Sequence, residues 1–146
     1  MFGRKTYTRE ELDNARAGVA RQLAAHDELA AAATAGSGAK KAAAALAEFE
    51  PLFFNNMTLV LDRLFVHRLR VVTGKDMNPL NEVELLSDSL MNNGGVLRAG
   101  NVVKHVPEQS VVRLKVGDPI RLTRDDFERL STAVFAEIER KFVTAG

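Results

Sequence analysis

Small and apolar side chains recur at steps of three and four residues early in the chain, a spacing that predicts a helix. The helix is expected to begin after Thr8, because Glu11 three residues later completes a capping pair. Its repeating face, which runs to about residue 33, consists of Leu12, Ala15, Val19, Leu23, His26 and Ala30. Since this face is mostly alanine-sized and buries little area, the helix is expected to lean on a neighbour.

A second helical pattern begins near Ala39, after a glycine-containing turn that predicts an antiparallel return. Pro51 lies inside this pattern, and proline lacks an N–H and clashes with the preceding turn. The sequence therefore leaves open a kinked helix or two helices that meet at Pro51. From residue 52 to 72 apolar side chains surround most of the axis, which predicts a central helix. Residues 8 to 73 are thus predicted to form a kinked antiparallel helical hairpin.

Two shorter elements are predicted next. The pair Asn78–Pro79 is typical of a helix start, and two glycines follow the last helical position, so residues 78 to 93 are predicted to form a short helix. From 96 to 122 the helical periodicity is lost, and apolar residues alternate with basic ones around a turn. This alternation predicts a small β-hairpin or an extended arm.

The last stretch, residues 123 to 143, is predicted to be an amphipathic helix capped by Thr123. Its apolar face consists of Phe127, Leu130, Val134, Ile138 and Phe142. Together the patterns predict one mainly α domain over residues 1 to 146. We expect a bundle of four to five helices with a small β-hairpin or extended arm before the last helix.

Composition and charge narrow the classes of protein that fit. The chain has 146 residues, of which 46% are hydrophobic and 27% charged, so it can bury a core without disulfides or structural metals. Its formal net charge of +1 gives no global field for nucleic acid or membranes. The chain has no cysteine, no apolar signal segment at its start and no apolar run long enough to span a bilayer. We expect a cytoplasmic protein with no membrane partner.

The most informative polar pattern lies on the predicted central helix. Four side chains at steps of seven, four and three residues fall on one face of it, namely Asn56, Arg63, His67 and Arg70. The next predicted helix carries Glu84 and Asp88 on its polar side. These six residues are the candidate ligand-binding residues. Three interpretations stay open: a salt-bridge seam between the two helices, a subunit interface, or a site for a small anion such as phosphate or carboxylate.

A second basic region lies in the predicted arm. It consists of Arg98, Lys104, Arg113, Lys115 and Arg121. A basic ribbon can lie along phosphates, so these residues are candidates for nucleic-acid contact. Against this, alternating basic residues are typical of the solvated face of a ribbon, and the arm has no aromatic residue on which a base could stack. We therefore do not expect nucleic acid as the partner.

The sequence offers no pattern for catalysis or for a cofactor. The three histidines, His26, His67 and His105, lie on separate segments, so no metal site is predicted, and His26 fits a core histidine satisfied by hydrogen bonds. We find no arrangement typical of a catalytic nucleophile and predict no catalytic residues. The prediction is a non-enzymatic helical protein that acts through protein contacts or self-assembly, as a homodimer. An anion binder and a nucleic-acid binder are the alternatives.

Overall fold

The computed structural model describes residues 6–100 and 102–144 and is mainly helical. The described residues form four α-helices, which are α1 (Arg9–Ala33), α2 (Ala39–Leu64), α3 (Pro79–Asn92) and α4 (Arg124–Phe142). Short 3-10 turns occur at Val66–Arg68 and Pro107–Gln109. The helical class predicted from the sequence is confirmed, with four α-helices in the described part of the chain.

Three of the helices begin at the residues that their caps predicted. At α1 the Glu11 N–H donates to Thr8 Oγ1 at 3.1 Å, while the Thr8 N–H donates to Glu11 Oε2 at 2.8 Å. The Asn78 side chain accepts from the Asn81 N–H at 3.0 Å at the start of α3. Thr123 caps α4 with the same reciprocal pattern as Thr8. Each cap satisfies backbone donors that a helix start leaves unpaired.

The central helix is shorter than its apolar pattern predicted, because α2 ends at Leu64 and not near residue 73. In a continued helix the backbone N–H of Arg68 would donate to the carbonyl of Leu64. Here that N–H donates to the Phe65 carbonyl at 3.1 Å, and the Arg68 side chain takes the Leu64 carbonyl instead. The turn also lets Phe65 and Val66, which are adjacent in sequence, both be buried. Tertiary packing therefore overrides the local pattern.

The four helices enclose one core. α1 packs on α2 and α4, α2 packs on α3 and α4, and α3 packs on α4. The largest fully buried side chains include Tyr7, Phe54 and Phe127. The two ends of the described chain meet beside this core, since the Tyr7 N–H donates to the Phe142 carbonyl at 2.6 Å and the Thr144 N–H donates to the Tyr7 carbonyl at 3.0 Å.

The β-hairpin considered for residues 96 to 122 is not formed. Within the described residues of this segment there is no strand, and Val96 and Pro119 form one isolated antiparallel bridge. Arg113 interrupts the predicted alternation because its φ is 57°, a left-handed conformation that cannot continue a strand. Its N–H donates to Ser110 Oγ at 2.8 Å, which closes a local turn.

A buried carboxylate on α3 holds part of this segment. Glu82 is only 2% exposed. Its Oε1 accepts from the Val111 N–H at 2.8 Å, and its Oε2 accepts from the Val112 N–H at 3.2 Å. The Ser110 hydroxyl also donates to Glu82 Oε2. Side-chain acceptors thus replace the strand ladder that the sequence pattern predicted.

An amide on α2 holds the end of the same segment. The Asn55 side chain donates to the Ile120 carbonyl at 2.7 Å and accepts from the Leu122 N–H at 3.1 Å. This pairing resembles one rung of a β-ladder, with a side-chain amide in place of a peptide group. It positions Thr123 to cap α4, and it lets Ile120 and Leu122 reach the core.

The far ends of α1 and α2 project from the core. No residue of α1 beyond His26 and no residue of α2 before Phe54 is buried. We call residues 27 to 53 the hairpin arm. α2 passes through Pro51 as one helix, which decides between the two alternatives that the sequence left open.

Candidate functional site

The cationic stripe predicted on one helix face is divided by the end of α2. Arg63 lies on the last turn of α2, His67 lies on the 3-10 turn, and Arg70 lies in the turn after it. Arg70 lines a cleft beside α3, whereas Arg63 and His67 line a separate cavity with Arg68. Asn56 is exposed on α2 and lines neither of them. The expectation of one continuous face was wrong, because it required helix up to residue 73.

The cleft beside α3 has a volume of about 610 Å³ and balanced charges. Its charged lining consists of Arg70, Glu84, Asp88 and Arg98. Arg98 Nη2 lies 3.1 Å from Asp88 Oδ2, and Arg70 Nη2 lies 3.2 Å from Asp62 Oδ1. Arg70 Nε is 3.9 Å from Glu84 Oε1, at the limit of an ion pair. Because each arginine here already has a carboxylate, the cleft has no spare positive charge for an anion.

The two acids of the cleft differ in their electrostatics. Partial burial raises the pKa of Glu84, and Arg70 offsets only part of this effect. Hydrogen bonds from Asn92 and Arg98 lower the pKa of Asp88. Asp88 is therefore well compensated as an anion, whereas ionised Glu84 is not. Exposed ion pairs of this kind contribute at most about 1 kcal/mol to the free energy of unfolding. They link α3 to its neighbours but stabilise the fold only slightly.

The second cavity, of about 360 Å³, is lined by Arg63, His67 and Arg68. The side chains of Arg63 and His67 make no hydrogen bond or ion pair with any residue that the structure describes. Arg68 is partly engaged, since it binds the Leu64 carbonyl and its guanidinium carbon lies 5.3 Å from the centre of the Tyr7 ring. Sequence analysis missed Arg68 because a continuous helix would place it on another face.

The basic residues considered for nucleic acid are all exposed but do not form the regular ribbon on which that hypothesis rested. Arg98 pairs with Asp88, and Arg113 has the left-handed backbone described above. Neither the cleft beside α3 nor the cavity of Arg63, His67 and Arg68 is lined by Lys104, Lys115 or Arg121. The nucleic-acid hypothesis stays a prediction and gains no support from the described geometry.

The hairpin arm presents a different kind of surface. On α2 an exposed stripe runs through Lys41, Ala45, Glu48 and Leu52, at steps of four, three and four residues. Lys41 and Glu48 have no ion-pair partner among the described residues. Three large apolar side chains of the arm are exposed to solvent, namely Leu29 (58%), Phe49 (44%) and Leu52 (66%).

The base of the hairpin arm is fixed to the core by a histidine. His26 is 8% exposed, with its Nε2 2.8 Å from Glu50 Oε2 and its Nδ1 3.0 Å from Asp27 Oδ1. Arg124 of α4 also binds Asp27 at 2.9 Å, and Arg124 and His26 together lower the pKa of Asp27. These contacts link α1, α2 and α4, so they fix the orientation of the hairpin arm relative to the core.

Within residues 6–100 and 102–144, no group of three or more histidine, aspartate or glutamate side chains is placed to hold a metal ion. None of the helices described is long and apolar enough to cross a membrane. Comparisons with protein-family models, with curated proteins and with solved structures find no match to this chain.

Proposed function

We propose that this protein acts through self-association, as a two-fold dimer in which the hairpin arms of two copies pack antiparallel. The observation that carries the proposal is the projecting arm, whose outer face is not covered by any residue that the structure describes. A two-helix hairpin rich in alanine is marginal in water without tertiary packing. A second hairpin would supply that packing as a four-helix arrangement.

The apolar side chains of the arm support this choice. Burial of a large apolar side chain contributes about 1.5–3 kcal/mol, and Leu29, Phe49 and Leu52 are each more than 40% exposed in one copy. Alanines surround them, and small side chains let two helix axes approach to about 8 Å. Phe49 is also preorganised, since its ring stacks on Phe53 with centroids 5.6 Å apart.

The charges of the arm favour a second copy in an antiparallel orientation. Lys41 and Glu48 lie seven residues apart on one face of α2, which corresponds to about 10 Å along the axis. If the two-fold axis passes midway between them, Lys41 of each copy lies opposite Glu48 of the partner subunit. A parallel arrangement would place like charges together, which is unfavourable. In the antiparallel register Ala44 and Ala45 flank the axis.

Charge reversal at this pair tests the proposal. We expect Lys41→Glu to weaken the dimer several-fold to about tenfold at low ionic strength, because symmetry creates two like-charge contacts. The double variant Lys41→Glu with Glu48→Lys should restore the dimer, since each pair is then opposite in sign again. The dissociation constant would be measured by sedimentation equilibrium over a concentration series.

Lys40→Glu with the same readout controls for the change of net charge, because Lys40 is exposed on the neighbouring position but lies outside the stripe. Helix propensities of lysine and glutamate are similar, so the variants should keep the fold. A double variant that associates no better than Lys41→Glu alone would contradict the antiparallel register.

A further inference from the structure

We infer that the cavity formed by Arg63, His67 and Arg68, which we call the cationic cavity, binds a phosphate group, either free or in a small phosphate ester. This inference does not depend on self-association. It concerns the opposite end of α2 from the hairpin arm, and a different set of side chains carries it.

The turn after α2 is what gathers these three side chains. In a continuous helix Arg68 would lie about 140° around the axis from Arg63, on a different face. Because α2 ends at Leu64, the 3-10 turn brings Arg68 to the side of Arg63 and His67, and all three line one cavity of about 360 Å³. The departure from the sequence prediction thus creates the site.

Two of the three cavity residues, Arg63 and His67, have no ion-pair partner within the described residues, whereas Arg68 also borders a neighbouring cavity that Glu11 lines. No carboxylate is among its lining residues, and the nearest acid in sequence, Asp62, pairs with Arg70 on the other side. Cationic side chains held close together repel one another unless an anion lies between them. Two guanidinium groups offer paired N–H donors whose planar geometry matches phosphate oxygens, and a histidine adds a further donor.

A direct structural contact exists for only one of the three residues, although Arg63 also lies in the last turn of α2, near the negative end of the helix dipole. Cations near the end of a helix interact favourably with its carbonyls. Arg68 does this through the Leu64 carbonyl, and its guanidinium also covers the Tyr7 ring. Arg63 and His67 are exposed and make no such contact with the described residues. Their free donors are what a ligand would use.

The size of the cavity points to a small ligand. Pockets for small molecules typically measure about 300–1,000 Å³, and this one lies at the lower end of that range. Its lining is charged and contains no apolar or aromatic platform, so recognition would be confined to the phosphate group itself.

Thermal melts of the full chain in inorganic phosphate test the inference, with sodium chloride used to match ionic strength. A ligand that binds only the folded state stabilises it with saturation. We expect phosphate to raise the melting temperature by about 2 °C or more at saturation. The variant Arg63→Gln with His67→Gln should lose this response, while Arg21→Gln with Arg121→Gln, which removes two exposed arginines elsewhere, should keep it.

A site-resolved measurement guards against a variant that fails to fold. In the unmodified chain the ring resonances of His67 should shift in NMR spectra on phosphate addition, whereas those of His105, which binds the Leu114 carbonyl at 2.7 Å, should not. Repeating the titration with phenyl phosphate distinguishes an ester from free phosphate. A melting temperature indifferent to both ligands, or His67 resonances that do not move, would overturn the inference.

Discussion

Replacement of Phe49 and Leu52 by glutamate is expected to dissociate the proposed dimer. Both side chains are exposed in one copy, at 44% and 66%, so the change should leave the fold of the monomer intact. In the proposed dimer, however, charges would replace two of the three large apolar side chains that the arm contributes to the interface. Losses at such positions reach 2 kcal/mol or more each, so we expect the dissociation constant to rise about 100-fold or more. Light scattering at micromolar concentration would measure the change.

Two exposed residues outside the arm provide the matched control. Val71 and Met91 are 83% and 67% exposed, and neither lies on the hairpin arm. Their replacement by glutamate adds the same charge to the surface and should leave the dimer unchanged. Equal loss of association in both double variants would show that net charge, and not the arm, governs assembly.

Replacement of Glu82 by alanine is expected to destabilise the fold strongly. The carboxylate accepts from the Ser110 hydroxyl and from the N–H groups of Val111 and Val112. Without it, one buried and two partly buried donors lose their acceptor, and each such loss costs about 1–3 kcal/mol. We expect the free energy of unfolding to fall by about 3–5 kcal/mol in urea titrations.

Glu82→Gln and Glu108→Ala complete this test. Glutamine keeps one acceptor oxygen, so its effect should be smaller than that of alanine. Glu108 lies on the nearby 3-10 turn with an exposed side chain, and its removal should change stability by less than about 0.5 kcal/mol. If Glu82→Ala were no worse than Glu108→Ala, the carboxylate would not be holding the segment.

Local signals were sufficient to predict most of the helices. The side chains of Thr8, Asn78 and Thr123 each accept from a backbone N–H three residues away, so the information lies within a few neighbouring positions. The apolar face of α4 is likewise a periodic pattern within one segment. For these elements sequence and structure agree because no distant contact competes with the local preference.

The end of α2 and the segment before α4 depended on distant contacts. α2 stops because Arg68 replaces a helical hydrogen bond and lies over Tyr7, more than 50 positions away in sequence. The β-hairpin prediction failed because Glu82, 28 residues before Ser110, supplies acceptors to that segment. A buried glutamate on a helix looks in sequence like any other polar position, so only the fold reveals it.

The same limitation affected the site. The stripe of Arg63, His67 and Arg70 was predicted from helical spacing alone, and the spacing was valid only while the helix continued. The structure separates Arg70, which pairs with Asp62, from the other two. The exposed face of the hairpin arm was not predicted, since the alanine-sized seam indicated only that the first helix would lean on a neighbour, and most of that seam is buried in the core.

The absence of cysteine from the chain makes a direct test of the proposed dimer practicable. A single Ala45→Cys substitution would place one thiol from each copy beside the two-fold axis. A disulfide requires the two Cα atoms to lie about 4.4–6.8 Å apart, and the proposed register brings the two copies of position 45 to such a separation. Under mild oxidation at micromolar concentration we expect a covalent dimer with twice the 16.0 kDa mass of the chain. Val71→Cys, whose side-chain position is 83% exposed but lies off the arm, should form no covalent dimer over the same time. If the two variants cross-link equally, or if Ala45→Cys does not cross-link, the hairpin arm is not the interface.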